Sequence, residues 1–253
     1  MLSPAECHVM RVSATLAAQR ENTPLRHASE YEQMLVKLAA DRRKLKGIQS
    51  VETKALHKRD MLPFYGPWIS GVLAAGRGAQ DDIVMTVMLW RFDVDDITGA
   101  LDIAEYALRH NLRMPEKHSR TTGCVVVEET AAAAARLRAA GAALSIDTLE
   151  RAIALTVDQD MPDNVRARLH KTVGLLLRDQ GDNAAALAQL QRAMQLDDNA
   201  GVKKEIQSLE RALRPKPVKQ PAKPAKKKTA ARPRSVTGTP ARRGRPPKVK
   251  AAS

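Results

Sequence analysis

The sequence of 253 residues has few aromatic side chains and few cysteines. Aromatic residues make up 3% of the chain although hydrophobic residues make up 43%, so alanine and leucine carry most of the apolar content. Both residues favour helix, and an all-α fold therefore follows more readily than a sheet. The two cysteines, Cys7 and Cys124, are too few for a disulfide framework, and neither lies in a C-x-x-C pair that would indicate a zinc site.

Long hydrophobic runs are also missing. No stretch approaches the roughly 20 consecutive apolar residues that span a bilayer. The apolar stretch 12–18 is interrupted by Ser13 and Thr15, unlike the core of a secretory signal. We therefore expect a soluble intracellular protein with reduced cysteines and no membrane partner.

Acidic residues are absent from the last forty residues, 214–253, which contain fourteen Lys and Arg. The whole chain has 42 basic and 28 acidic residues, so removing those fourteen leaves 28 of each sign in residues 1–213. The formal charge of +14 is thus confined to 214–253, which we call the basic tail, and the body is neutral. Such segregation indicates a polyanionic partner, and nucleic acid is the first candidate.

The basic tail is predicted to be disordered. It holds eight of the fourteen prolines and few large apolar side chains, so burial cannot offset the entropy of ordering it. Its segment 242–248 resembles an AT-hook, in which Gly244 permits close approach, Arg245 enters the narrow minor groove of A·T-rich DNA and Pro246 keeps the chain extended. The candidate DNA-binding residues of the tail are Lys226, Lys227, Lys228, Arg242, Arg243, Gly244, Arg245, Pro246 and Lys248. Nonspecific binding of RNA or another polyanion is the alternative.

The neutral body is predicted to consist of helices that form antiparallel hairpins. Apolar residues at three- and four-residue spacings predict a helix at 27–46 and two helices within 81–113. The segment 62–68, LPFYGPW, is predicted to be a rigid turn because it carries two prolines. A polar loop at 116–124 divides the body into an N-terminal region, 1–120, and a C-terminal region, 121–213.

Residues 162–196 show the pattern of a tetratricopeptide-like helix hairpin. The small and apolar positions of that pattern are occupied by Gly174, Leu177, Gly181, Ala186, Leu190 and Ala193. Small residues allow two antiparallel helices to approach closely, and Gly181 can adopt a positive φ in the turn. Residues 95–108 echo this pattern only weakly, whereas repeat arrays need about three units. We therefore expect one hairpin within a helical body, with a peptide-binding groove as the alternative.

Acidic and basic clusters in the body are weaker site candidates. A metal-dependent nuclease needs converging carboxylates, and the candidates are Asp81, Asp82, Asp95 and Asp96. Both pairs stand where helices are predicted to begin, and a carboxylate there stabilises the helix without a metal. Weaker DNA-binding candidates are Arg42, Arg43, Lys44 and Lys46, which otherwise form a solvated helix face. The phosphate-binding motif G-x-x-x-x-G-K-[ST] is absent, so an ATPase activity is not expected.

The body as a whole resembles the small terminase subunit of P-two-like tailed bacteriophages. The resemblance is carried by long strings, which are SPAECHVMRVSA at 3–14, PLRHASEYEQMLVKLAADRRKLK at 24–46, LPFYGPW at 62–68, and the segments 78–118 and 160–197. It implies a subunit that binds the cohesive-end packaging site of double-stranded viral DNA. With a large ATPase subunit, it would cut concatemeric DNA and package it into the procapsid.

The resemblance also implies further copies of the chain, since small terminase subunits commonly form rings, and a location in the host bacterial cytoplasm. The family is labelled an endonuclease subunit, so Mg²⁺ is implied for cleavage, whereas DNA binding needs no cofactor. The sequence itself shows no nuclease motif. A non-catalytic DNA-binding scaffold, or a repeat-type adaptor that recruits the large subunit, is therefore the alternative function.

Overall fold

The computed structural model describes residues 3–18, 29–115, 118–142 and 145–214. Within these ranges the chain forms ten α-helices and no strand, which confirms the all-α prediction. The helices are α1 (Pro4–Ala18), α2 (Ser29–Lys46), α3 (Val51–Ala75), α4 (Asp82–Asp93), α5 (Ile97–Arg109), α6 (Thr122–Ala139), α7 (Ile146–Leu155), α8 (Asp163–Gln180), α9 (Asn183–Leu196) and α10 (Lys203–Leu213). None of the described helices is both long enough and apolar enough to cross a membrane.

Helix α3 continues without interruption through residues 62–68, so the prediction of a rigid turn there is wrong. Pro63 and Pro67 both lie inside the helix. Each proline removes one backbone donor from the helix and costs about 3 kcal/mol in a helix interior. Packing must therefore offset a substantial local cost.

Two features of the segment make the interior prolines tolerable. Gly66 precedes Pro67 and has no Cβ to clash with the proline ring. Tyr65 and Trp68 are fully buried, and aromatic side chains of this size dominate the energetics of a core. Tertiary burial therefore overrides the local preference for a turn.

The rare aromatic residues join α2, α3 and α4 in one core. The ring centroids of Tyr31 and Trp68 lie 5.6 Å apart. Tyr65 meets Trp90 edge to face with centroids 5.8 Å apart. These distances are typical of favourable aromatic pairs, so the few aromatic side chains hold three helices together.

Helix α1 packs against α3 with almost no space between the two backbones. A Cβ on Gly71 would lie 2.3 Å from the carbonyl oxygen of Arg11. The hydroxyl of Thr15 donates a hydrogen bond to the carbonyl oxygen of Gly71 over 3.0 Å. Only glycine at position 71 permits this approach.

Helices α8 and α9 form the antiparallel hairpin expected at 162–196. Gly181 ends α8 with a φ of 91°, as its predicted role in the turn requires. A Cβ on Gly174 would lie 2.7 Å from the side chain of Leu190, so the two helices cross closely where small residues stand. The hairpin is confirmed, and its tetratricopeptide-like character stays a prediction.

The ten helices belong to one compact unit that ends at Arg214. The division of the body into regions 1–120 and 121–213 stays a prediction. The segment 215–253 lies outside the described residues, and with it the disorder and the AT-hook-like structure predicted for the basic tail.

Candidate functional site

Asp81 is a buried cap at the start of α4. One carboxylate oxygen accepts the backbone N–H groups of Ile83 and Val84 at 2.8 and 3.1 Å. The other accepts the indole N–H of Trp68 at 2.8 Å. Burial raises the pKa of Asp81 to about 6, although the three hydrogen bonds oppose this shift. The capping interpretation is confirmed for Asp81, whose oxygens both point into the protein.

Asp82, the first residue of α4, lies beside a candidate basic residue. Its backbone carbonyl oxygen accepts the hydroxyl of Thr86 at 2.6 Å. The same hydroxyl accepts a hydrogen bond from the guanidinium of Arg42 on α2. Thr86 therefore bridges Arg42 and the backbone of Asp82. The carboxylate of Asp82 takes no part in these two hydrogen bonds.

Asp96 caps the next helix, α5. One carboxylate oxygen accepts the backbone N–H of Gly99 at 3.0 Å. The other accepts a guanidinium N–H of Arg91 at 2.9 Å. The capping interpretation is confirmed for Asp96, whose charge is also balanced by an arginine at the end of α4.

Asp95 and Asp93 tie the turn between α4 and α5 to neighbouring helices. Asp95 has a φ of 64° and accepts two hydrogen bonds from Arg136 of α6, at 2.9 and 3.1 Å. Arg136 also donates to the carbonyl oxygen of Phe92 at 3.0 Å. Asp93 pairs with Lys58 of α3 at 2.5 Å. The carboxylates of this turn therefore hold basic side chains from α3 and α6.

The four candidate carboxylates do not fit a common Mg²⁺ site. Asp81 and Asp82 stand at the start of α4, which is 12 residues long, and Asp95 and Asp96 follow its end. At 1.5 Å per residue this length is about 18 Å, whereas paired catalytic metals lie only about 4 Å apart. Across the described ranges, no three His, Cys, Asp or Glu side chains are grouped so that they could hold a metal.

The body's candidate DNA-binding residues gather at the end of α2. Arg42, Arg43, Lys44 and Lys46 are all exposed. Lys44 lies 4.0 Å from the buried carboxylate of Asp41, and Arg43 donates within its own helix. Basic residues in a last turn also stabilise the helix dipole. The geometry therefore allows either a phosphate-contact surface or a solvated helix end.

A buried polar network next to this basic end was not predicted from the sequence. Asp41 is 1% exposed and accepts the hydroxyl of Tyr65 at 2.8 Å. Lys37 also donates to Asp41. Burial raises the pKa of the Tyr65 hydroxyl, which stays protonated and donates to Asp41. The four-residue spacing of Lys37 and Asp41 indicates an ion pair, but nothing local indicates its burial against α3.

A cleft between α6 and the start of α8 was also missed. Its volume is about 900 Å³, and its lining includes Arg120, Glu128, Glu129, Asp160 and Arg168. Arg120 forms an ion pair with Glu128. Burial raises the pKa of the Glu129 carboxyl. These residues come from segments about forty positions apart, so no sequence pattern brings them together.

The tail residues that were predicted to contact DNA lie outside the described residues. They are Lys226, Lys227, Lys228, Arg242, Arg243, Gly244, Arg245, Pro246 and Lys248. Their proposed roles rest on the sequence.

Comparison with known proteins shows the family to which the chain belongs. The family model of the phage small terminase subunit matches residues 35–164, from α2 to the first turn of α8. The chain belongs to this family, which confirms the resemblance seen in its sequence.

Two relatives carry more specific names. The chain is 60% identical over 250 residues to "Terminase, endonuclease subunit" of Escherichia phage P2, a match that covers 98% of this chain and 99% of the relative. It is 25% identical over 195 residues to "Probable terminase, endonuclease subunit" of Haemophilus phage HP1, covering 72% and 69% of the two chains. No solved structure matches the chain.

Proposed function

We propose that this chain recognises viral DNA for packaging: it binds the cohesive-end site and brings the large ATPase subunit to it. The assembled terminase then cuts concatemeric DNA and feeds it into the procapsid. The observation that carries the proposal is the confinement of the formal charge of +14 to 214–253 in a small terminase chain whose body is neutral. A neutral body suits protein contacts, and a basic tail suits phosphates.

DNA binding should depend steeply on salt because the basic tail would release counterions from the duplex. Each phosphate contact adds about 0.9 to the slope of log affinity against log salt concentration. Six to ten contacts would lower the affinity by about 10³–10⁵ between roughly 50 and 200 mM salt. We would compare the full chain with a 1–213 truncation, which lacks the whole basic tail, on cohesive-end and random DNA. Equal slopes for the two proteins would contradict the proposal.

The same assay distinguishes DNA binding by the basic tail from DNA binding by the basic end of α2. One variant replaces Lys226, Lys227 and Lys228 by Gln, and its counterpart replaces Arg43, Lys44 and Lys46 by Gln. Both remove three charges, and the second spares Arg42, which is bonded to Thr86. Each contact that is lost lowers the slope by about 0.9, so the surface that binds phosphates is identified by the variant whose slope falls.

The AT-hook-like segment predicts a preference for A·T-rich DNA. Arg245→Ala removes the side chain that would enter the minor groove, and Lys250→Ala removes one charge outside the Gly-Arg-Pro core. We expect only Arg245→Ala to reduce the affinity ratio between A·T-rich and G·C-rich duplexes. Equal effects of the two variants would indicate a polyanion contact without sequence choice.

The large-subunit contact distinguishes the recognition subunit from a repeat-type adaptor. If the α8–α9 hairpin and α10 recruit the large subunit, Lys203 and Lys204 on α10 should cross-link to it. Lys44 and Lys46 at the end of α2 serve as the comparison, since all four lysines are exposed. Cross-links confined to α2 would contradict an adaptor role for the C-terminal helices.

DNA cleavage by this chain itself is the alternative function, which the names of both relatives favour. The described aspartates do not fit a Mg²⁺ site, so we assign cleavage to the assembled complex and expect Mg²⁺ to be required for cleavage and not for DNA binding. EDTA should leave binding intact. Nicking of cohesive-end DNA by the purified chain with Mg²⁺ would instead show that the nuclease lies in this subunit.

A further inference from the structure

A second cleft, which we call the α5–α6 cleft, lies between the end of α5 and the start of α6. Its volume is about 410 Å³, within the range of small-molecule binding sites. Arg113, His118 and Arg120 line it together with hydroxyl and amide side chains, and none of the described lining residues is acidic. Because residues 1–213 hold 28 residues of each sign, this lining is a local excess of basic residues in a neutral body.

The backbone oxygens around the α5–α6 cleft are already hydrogen-bonded. The carbonyl oxygens of Ala107 and Leu108 accept backbone N–H groups of the turn that ends α5, at 2.8 and 3.2 Å. The carbonyl oxygen of Leu112 accepts the hydroxyl of Thr122 at 2.6 Å. A cation, or another ligand that donates hydrogen bonds, would therefore find these oxygens occupied.

Arg113 offers unused donors from a fixed position. Its backbone N–H donates to the side-chain oxygen of Gln80 at 2.8 Å, and its carbonyl oxygen accepts the side-chain amide of Gln80 at 2.9 Å. Its exposed guanidinium makes no hydrogen bond or ion pair with any described residue. A guanidinium with unused N–H groups matches the oxygens of a phosphate, which it can bind through two parallel hydrogen bonds.

The start of α6 adds positive potential to the same cleft. Thr121 and Thr122 stand at the N-terminus of this 18-residue helix and line the cleft. The N-terminus of a helix carries partial positive charge, and its first N–H groups have no acceptor within the helix. An anion in the cleft would therefore be stabilised by the helix as well as by the arginines.

The α5–α6 cleft also has an apolar lining. Ala107, Leu108, Leu112 and Met114 contribute to it. Inorganic phosphate would leave this surface exposed to water, whereas the base and the sugar of a nucleotide can cover it. A cleft of about 410 Å³ has room for one nucleotide and cannot enclose a duplex.

We infer that the α5–α6 cleft binds one nucleotide, with its phosphate on Arg113 and Arg120 and its base against the apolar lining. The nucleotide is either free or the phosphorylated end of a DNA strand, since both present the same phosphate monoester. The strand end rests on the DNA binding proposed above, whereas the free nucleotide does not. The inference concerns binding alone and includes no hydrolysis.

Calorimetric titration of the full chain with 2′-deoxyadenosine 5′-monophosphate tests the site. Arg113→Gln should weaken binding at least about tenfold, because hydrogen bonds to a charged group are lost. Arg211→Gln is the matched control, since Arg211 is also exposed but lies in α10 and does not line the cleft. Both variants keep the basic tail, so its attraction for phosphate is the same in each. No binding by the unaltered chain, or equal weakening in both variants, overturns the inference.

Glu128→Gln should change the affinity in the opposite direction. Glu128 forms an ion pair with Arg120, so a phosphate must compete with its carboxylate for that guanidinium. The variant should bind the mononucleotide about two- to fivefold more tightly, whereas damage to the start of α6 would weaken binding. Circular dichroism shows whether the variant is folded. Unchanged or weaker binding by a folded variant contradicts the role of Arg120.

Oligonucleotides distinguish the two sources of the phosphate. A single strand with a 5′-phosphate is compared with the same strand ending in a 5′-hydroxyl, for the unaltered chain and for Arg113→Gln. An affinity ratio above one that falls in Arg113→Gln shows that the strand end occupies the cleft. A ratio of one in both, with mononucleotide binding intact, shows that the ligand is the free nucleotide. The salt dependence of duplex binding tests the basic tail separately, so failure of the cleft and failure of the proposed function are distinguishable.

Discussion

The indole N–H of Trp68 donates a hydrogen bond to the carboxylate of Asp81 over 2.8 Å, and both side chains are buried. The bond joins the C-terminal half of α3 to the start of α4. Because the same carboxylate accepts two backbone N–H groups of α4, Asp81 fixes where that helix begins. A residue selected as a catalytic candidate therefore has a complete structural role.

Replacing Asp81 by Ala should destabilise the fold. The change removes the cap and leaves the buried indole N–H of Trp68 without an acceptor, so we expect the free energy of unfolding to fall by about 2–4 kcal/mol. Urea denaturation followed by circular dichroism measures this loss. Asp82→Ala is the control, since Asp82 begins the same helix without capping it. Unchanged stability together with lost cleavage would show a catalytic role for Asp81.

The contribution of Asp81 to the stability of the protein should fall as the pH rises from about 4 to about 6. The pKa of Asp81 is raised from 3.8 to about 6, so in this window the folded state binds a proton that the unfolded state has released. Asp81→Asn cannot titrate, and its free energy of unfolding should improve relative to the unaltered protein by up to about 3 kcal/mol across the window. Denaturation of both proteins at several pH values gives the difference. A constant difference would contradict the assigned shift.

Gly71→Ala should separate α1 from α3. The added Cβ would lie 2.3 Å from the carbonyl oxygen of Arg11, and we expect a loss of about 1–3 kcal/mol in the free energy of unfolding. Ser70→Ala is the control because Ser70 is the exposed neighbour of Gly71 in α3. Because alanine has a higher helix propensity than serine, Ser70→Ala should stabilise the protein by about 0.5 kcal/mol or less. Similar effects of both changes would mean that the helices do not meet this closely.

Asp96→Asn should leave cleavage by the assembled terminase intact. Asparagine still caps α5 but loses the ion pair with Arg91, which is partly exposed, so the expected cost in stability is about 0.5–1 kcal/mol. Asp95→Asn should behave similarly because asparagine tolerates the positive φ at this position. Cohesive-end cleavage is measured with the large subunit present. Abolished cleavage at normal stability would instead place these aspartates in an active site.

The sequence predicted those parts of the fold that follow from local rules. Helices α4 and α5 were predicted because their apolar residues recur at helical spacing and an aspartate precedes each of them. The α8–α9 hairpin was predicted because Gly181 marks its turn and Gly174 marks its crossing. Helix α3 was missed because Pro63 and Pro67 break the local rule, and the burial that compensates for them is a tertiary effect.

Most of the candidate site depends on contacts that are distant in sequence. Asp95 and Arg136 are 41 positions apart, and Asp41 and Tyr65 are 24 apart. Spacing rules apply within one element, so they cannot show which basic residue meets which carboxylate. The sequence could identify the acidic residues and the capping alternative. It could not identify the arginines that form ion pairs with Asp95 and Asp96.

The two prolines of α3 also bear on how the protein folds. Among the described helices α3 is the longest, at 25 residues. A peptide of residues 51–75 should nevertheless form little helix in isolation, because its two prolines destabilise the helix. Its order is contingent on the neighbours that cover Tyr65 and Trp68. The N-terminal helices should therefore assemble cooperatively. Local unfolding of one of them should destabilise the others.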